Sequence, residues 1–351
     1  MSGRDVVPDP PVAATEPVGA GPPAPAADRP GTGLLPPPVA LAVAVVGGVG
    51  SAVQGVVNGG LAERVGTPVV AALISNGVGT TLLLLGACTF PSVRAGLRRL
   101  PGSGLRWWQY LGGVCGALFV AGSALTVPIL GVALVTVVLV CGTSLGGILT
   151  DRIGLGPTGR LPVTPVRLIS ALAAVAAVGI AQLGRPVGQV ALGLVVFVLV
   201  LGLGLSVQSA LNGRLMQTAR NVGSASLVNA LVGTTVLVVA TGVFGAAGRL
   251  PVTGLTGDWW LYLGGVLSLV VVGANLLSVR SLGVLRTGLA FVAGQLVGAL
   301  VLDAVVPGQV RPTGWLIVGV LLTLGAVLLS GVATARRPTR PARPAREGAD
   351  S

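Results

Sequence analysis

The residues best able to do chemistry in this chain are uncharged amides. Gln54 and Asn58 stand four apart, and Gln208 and Asn212 repeat that spacing 154 residues later. Four residues is about one helical turn, so each pair shares a helix face. Each pair sits in an apolar stretch, with Gly47 and Gly50 on roughly the face of the first and Gly204 beside the second. An amide turned towards lipid leaves its hydrogen bonds unmade, so these side chains are expected to point into a helix bundle. They then either line a substrate cavity or bond across helices, and Asn58-Gly59 and Asn212-Gly213 read as helix caps. Asn275 and Gln295 are the next candidates, because burying an amide costs more than burying a hydroxyl. The Ser and Thr of the apolar stretches are expected to bond their own or a neighbouring backbone.

Other chemistry is excluded by what is missing. There is no His, which removes His-based metal sites, Ser-His-Asp and Cys-His catalysis, and a His proton relay. No nucleophile with a base and no pair of carboxylates can be found, so an enzyme, a cofactor and a metal are not expected. Glu63, Asp151, Asp258 and Asp303 fall at the ends of apolar stretches or between them, so a mid-span carboxylate relay is not expected either. Cys88, Cys115 and Cys141 lie in apolar runs and read as small buried hydrophobes.

The elements that must position the amides are membrane spans. The chain has 351 residues, is 52% hydrophobic and only 9% charged, far below the quarter expected of a soluble domain. A spanning helix needs roughly 17–25 apolar residues, and ten stretches qualify. They lie near 38–57, 69–90, 107–127, 131–150, 166–183, 189–209, 223–243, 259–279, 287–305 and 314–334. The net charge of +12 does not suggest nucleic acid, because the Arg are scattered through short breaks instead of forming one patch. With the N-terminus inside, 18 Arg fall on the cytoplasmic side and 4 outside, or 11 against 4 without the tails. Both termini are therefore expected in the cytoplasm.

The chain also repeats itself. Trp107–Val114 reads WWQYLGGV, and Trp259–Val266 reads WWLYLGGV 152 residues later. Gly131, Gly142, Gly146 and Asp151 recur at the same offset as Gly283, Gly294, Gly298 and Asp303. One ancestral unit, duplicated and fused, accounts for this. Five spans per unit place the second copy upside down relative to the first. The expected organisation is a disordered tail over 1–36, repeats over 37–184 and 185–334, and a basic tail over 335–351. The fold class is an all-α membrane protein of ten transmembrane helices in two inverted five-helix repeats.

QxxxNG early in each half, WWxYLGG opening each third helix and LGV…G…G…D through each fourth resemble the drug/metabolite transporter superfamily. They are closest to its YdcZ-like branch of inner-membrane exporters, related to the EamA type. The resemblance covers roughly 38–334. It implies a central cavity lined by the first four helices of each half, with the fifth and tenth peripheral. It supplies no substrate. In the second half Arg280 and Arg286 stand where the first has Pro128 and Leu134. The function it points to is a secondary transporter exporting small metabolites or drugs by alternating access, with a non-transporting scaffold or accessory subunit as the alternative. The partners expected are a small-molecule substrate and the lipid bilayer of a bacterial inner membrane, with no nucleic acid; a homodimer stays open.

Overall fold

Apolar residues without a soluble partner force the backbone to satisfy itself, and helices do this within one segment. The computed structural model describes residues 35–156, 159–160, 163–183, 189–250, 254–307 and 310–335, and these carry helices and no strand. The expectations for 1–34 and for the Arg-rich stretch 336–346 lie outside the described residues. The helices are α1 (Pro37–Val65), α2 (Pro68–Thr89), α3 (Pro91–Arg98), α4 (Gly112–Leu130), α5 (Val132–Ile153), α6 (Pro165–Ala181), α7 (Gln189–Ala219), α8 (Val222–Ala246), α9 (Gly264–Val305) and α10 (Gly314–Ala335). Prolines open α1, α2 and α3, where the missing N–H has no helical partner to lose.

Eight stretches of the described residues are long and apolar enough to cross a membrane. Two of the ten expected spans are shorter there: the apolar runs of α6 and α10 are Leu168–Ala181 and Gly314–Leu329. The short amphipathic helix α3 was not anticipated. Each Trp pair forms a 3-10 turn that leads into a helix, Trp107–Tyr110 before α4 and Trp259–Leu263 before α9. Trp107 and Trp259 are 76% and 72% exposed, as befits indoles at a headgroup layer.

Helix α9 runs 42 residues, about 63 Å if straight, roughly twice a bilayer core. It does not run straight. Gly264 lies against Asn58, and the Ser278 hydroxyl donates to the Ala40 carbonyl at 2.9 Å, so this arm descends along α1. Gly294 then lies against Val45 and Gly298 against Val49, so the second arm climbs back along the same helix. Gly47 sits between the arms, with a Cβ there 3.0 Å from Ala274 and 3.5 Å from Phe291. Small residues let three backbones meet here, which is how helices associate where no hydrophobic effect drives them.

The remaining packing follows the same rule. Helix α7 lies along α4 and α5, α2 crosses α8, and α6 packs on α10. At the α2–α8 crossing the Thr80 and Thr234 hydroxyls are 2.7 Å apart, and Asn76 Nδ2 donates to Thr234 Oγ1 at 2.9 Å. Thr80 and Thr234 are equivalent in the repeat numbering, so this contact joins a residue to its own counterpart.

Candidate functional site

Helix α1 presents Ser51, Gln54 and Asn58 on one face, at spacings of three and four. They line a cavity together with Ser123 of α4, Thr136 of α5 and Gln295 of α9. Its apolar walls include Phe119, Val127 and Val135. The cavity encloses about 40 Å³ measured to the centres of a water-sized sphere, room for a few waters. Gln295 Nε2 donates to Ser51 Oγ at 3.4 Å. Asn58 and Ser123 are buried, and among the described residues Asn58 Oδ1 and Ser123 Oγ have no hydrogen-bond partner. A buried polar atom without a partner is costly, so such groups mark places suited to a ligand or water.

The start of α5 forms part of the cavity wall. Val132 lines the cavity, and its N–H donates to Asp303 Oδ1 at 2.7 Å; the next N–H, of Ala133, donates to Oδ2 at 2.8 Å. Asp303 is 1% exposed at the end of α9, so its carboxylate satisfies two orphan amides and meets the positive end of the α5 dipole. Gly131, at φ +84, makes the turn before α5, and a Cβ there would meet Asp303 Oδ2 at 2.9 Å.

Gln208 and Asn212 are not among the cavity's lining residues. They lie on α7 against the opening of α4. A Cβ on Gly112 would come 3.1 Å from Asn212 Oδ1 and 3.3 Å from Asn229 Oδ1, and one on Gly116 2.7 Å from Gln208 Nε2. The amide oxygens of Gln208, Asn212 and Asn229 have no partner among the described residues. Asn275 is half-buried on the descending arm of α9 and does not line the cavity.

The cap expected at Asn58 and Asn212 is corrected. Both lie inside helices that continue to Val65 and Ala219. Helix α1 ends instead at Gly66, left-handed at φ 86, whose N–H returns to the Ala62 carbonyl at 3.0 Å. Gly59, the glycine after Asn58, serves packing: a Cβ there would lie 3.2 Å from Pro128.

The two sequence motifs meet crosswise. Gly112-Gly113 of WWQYLGG face Asn212, Asn229 and Gly233, while Gly264-Gly265 of WWLYLGG face Asn58, Ser75 and Gly79. Every residue of the first set is the repeat equivalent of one in the second. Gly142 and Gly294 behave alike, against the backbones of Leu199 and Val45. Ser51 and Thr136 are cavity residues that the motifs did not single out. The signal for Ser51 was its position three before Gln54; Thr136 gave none beyond its place near the start of α5.

Fold and site define an all-helical, multi-pass membrane protein with a small polar pocket among its helices. A family model described as "Putative inner membrane exporter, YdcZ" matches residues 39–180 and 193–329. The chain belongs to this YdcZ-like family of the drug/metabolite transporter superfamily, which is a family of membrane transporters and not an enzyme class. It is similar to inner membrane protein YdcZ of Escherichia coli (strain K12), 36% identical over 109 residues, which are 30% of this chain and 72% of that protein. The relative is therefore less than half as long as this chain.

Proposed function

We propose that this chain is a secondary transporter that exports small metabolites or drugs by alternating access. It is read as ten spans in two inverted five-helix halves, with both termini cytoplasmic. The observation that carries this reading is the crosswise docking of matched motifs, because each half completes its packing on equivalent residues of the other. The cavity supplies the binding chemistry. Six uncharged polar side chains converge there from α1, α4, α5 and α9. A scaffold or accessory subunit has no use for buried amide and hydroxyl atoms left without partners.

In the present conformation the cavity admits only water, so a substrate enters when the helices around it part. Gln54 and Asn58 on one half, and Gln208 and Asn212 on the other, are the matched contacts. Gln295 joins the first set, and Asn275 is the repeat equivalent of the cavity residue Ser123. Comparing metabolites of a deletion strain with those of an overproducing strain identifies the substrate. With a substrate in hand, Gln54→Ala and Gln208→Ala should each impair export while leaving folded protein in the membrane. Normal export by both variants sinks the site assignment; loss of folded protein makes the amides structural.

A further inference from the structure

A second polar concavity lies away from the cavity, at the opposite end of α4. It has a volume of about 520 Å³ and is framed by the loop before α4, the end of α5 and α7. Two cations line it from separate elements, Arg106 and Arg214, together with the indole of Trp108. We propose that this crevice binds a phosphate group, carried by an anionic lipid headgroup or by a small phosphate ester. The inference does not depend on the transport reading.

The geometry of Arg214 is the first support. Its Nη2 donates to the Gly154 carbonyl at 2.8 Å, which fixes the guanidinium at the end of α5. Its Nε is buried and has no partner among the described residues. With Nε shielded and one Nη2 hydrogen committed, the remaining Nη hydrogens lie in a fixed plane, the arrangement suited to phosphate oxygens. The loop itself is fixed, because the Arg106 N–H donates to Gln109 Oε1 at 2.8 Å. The Arg106 side chain is exposed, and among the described residues no carboxylate pairs with Arg106 or Arg214.

The repeat supplies a second, independent support. The equivalents of Arg106 and Arg214 are Asp258 and Gly60. At that other corner Asp258 pairs with Arg64 at 3.5 Å, so the charge is locally balanced. The two cations are therefore present at one end of the repeated scaffold and absent from the equivalent positions at the other. Orientation in the membrane requires positive charge on a side. It does not require two guanidinium groups in one crevice beside an interfacial indole.

The test uses full-length protein in detergent, titrated with phosphatidylglycerol, with phosphatidylcholine and, separately, with glycerol 3-phosphate, and read by native mass spectrometry. Either phosphatidylglycerol binds in preference to phosphatidylcholine, or glycerol 3-phosphate binds. Arg106→Gln should weaken that binding about fivefold, the effect of one cation near a membrane surface. Arg311→Gln, on the loop before α10, should leave it unchanged. Binding of the lipid alone identifies a headgroup as the source; binding of the ester identifies a soluble one. Arg214→Gln should weaken binding further, and Arg106→Gln keeps the test decisive if that variant does not fold. Binding equal in wild type and Arg106→Gln for both ligands, or no binding of either, overturns the proposal.

Discussion

At the scale of single residues, glycine and amide work as a pair. Gly264 exists because Asn58 and Ser75 occupy the space a Cβ would need, with Ser75 Oγ 2.7 Å away. Gly264→Ala should lower the stability of the purified protein by ~1–3 kcal/mol, the usual range for forced overpacking. Gly273→Ala is the matched control, because nothing lies within 4 Å of a Cβ there. Equal melting temperatures for the two variants would show that the Asn58 contact is not close-packed. The repeated glycines and amides were legible in the sequence, because recurrence at a fixed offset needs no structure. Which amide met which glycine was not, because the contact partner lies in the other half of the chain.

At the scale of elements, the ends of α1 and α7 were misread because Asn-Gly is a common stop signal. Tertiary packing overrides it where the glycine has a neighbour to approach, here Pro128 for Gly59. The reversal within α9 is the element-level feature with the sharpest consequence. If its two arms cross the membrane in opposite directions, the segment between them faces the same side as the loop before α4. In a variant lacking Cys88, Cys115 and Cys141, Arg286→Cys and Ser103→Cys should react with an impermeant thiol reagent from one side. Leu255→Cys, 77% exposed in the segment before α9, should react from the other. Labelling of all three from one side contradicts the reversal as a double crossing. The break was legible as Arg280 and Arg286 between apolar runs; the continuity of helix through it was not, because a polar break between apolar runs reads as a loop.

At the scale of the whole molecule, the sequence showed its membrane class through composition and its duplication through offsets. The polar cavity could not be read that way, since its walls come from four helices spread over residues 51 to 295. The 18-to-4 distribution of Arg makes a further prediction here. Reporter fusions at the N-terminus and the C-terminus should both register a cytoplasmic location. One external terminus would remove the even number of crossings, and two would invert the orientation.

The Asp303 carboxylate also sets an order of events. The amides it receives are those of Val132 and Ala133, about 170 residues earlier in the chain. Helix α1 likewise finds its most extensive packing on α9. During synthesis the first half must therefore wait in the bilayer, with its fourth long helix uncapped and Asn58 not yet covered by Gly264, until the last quarter of the chain arrives. The contacts that complete α5 are among the most distant in the chain, and such contacts form late. A ribosome stalled before residue 264 leaves a half that has entered the membrane but has nothing to close upon.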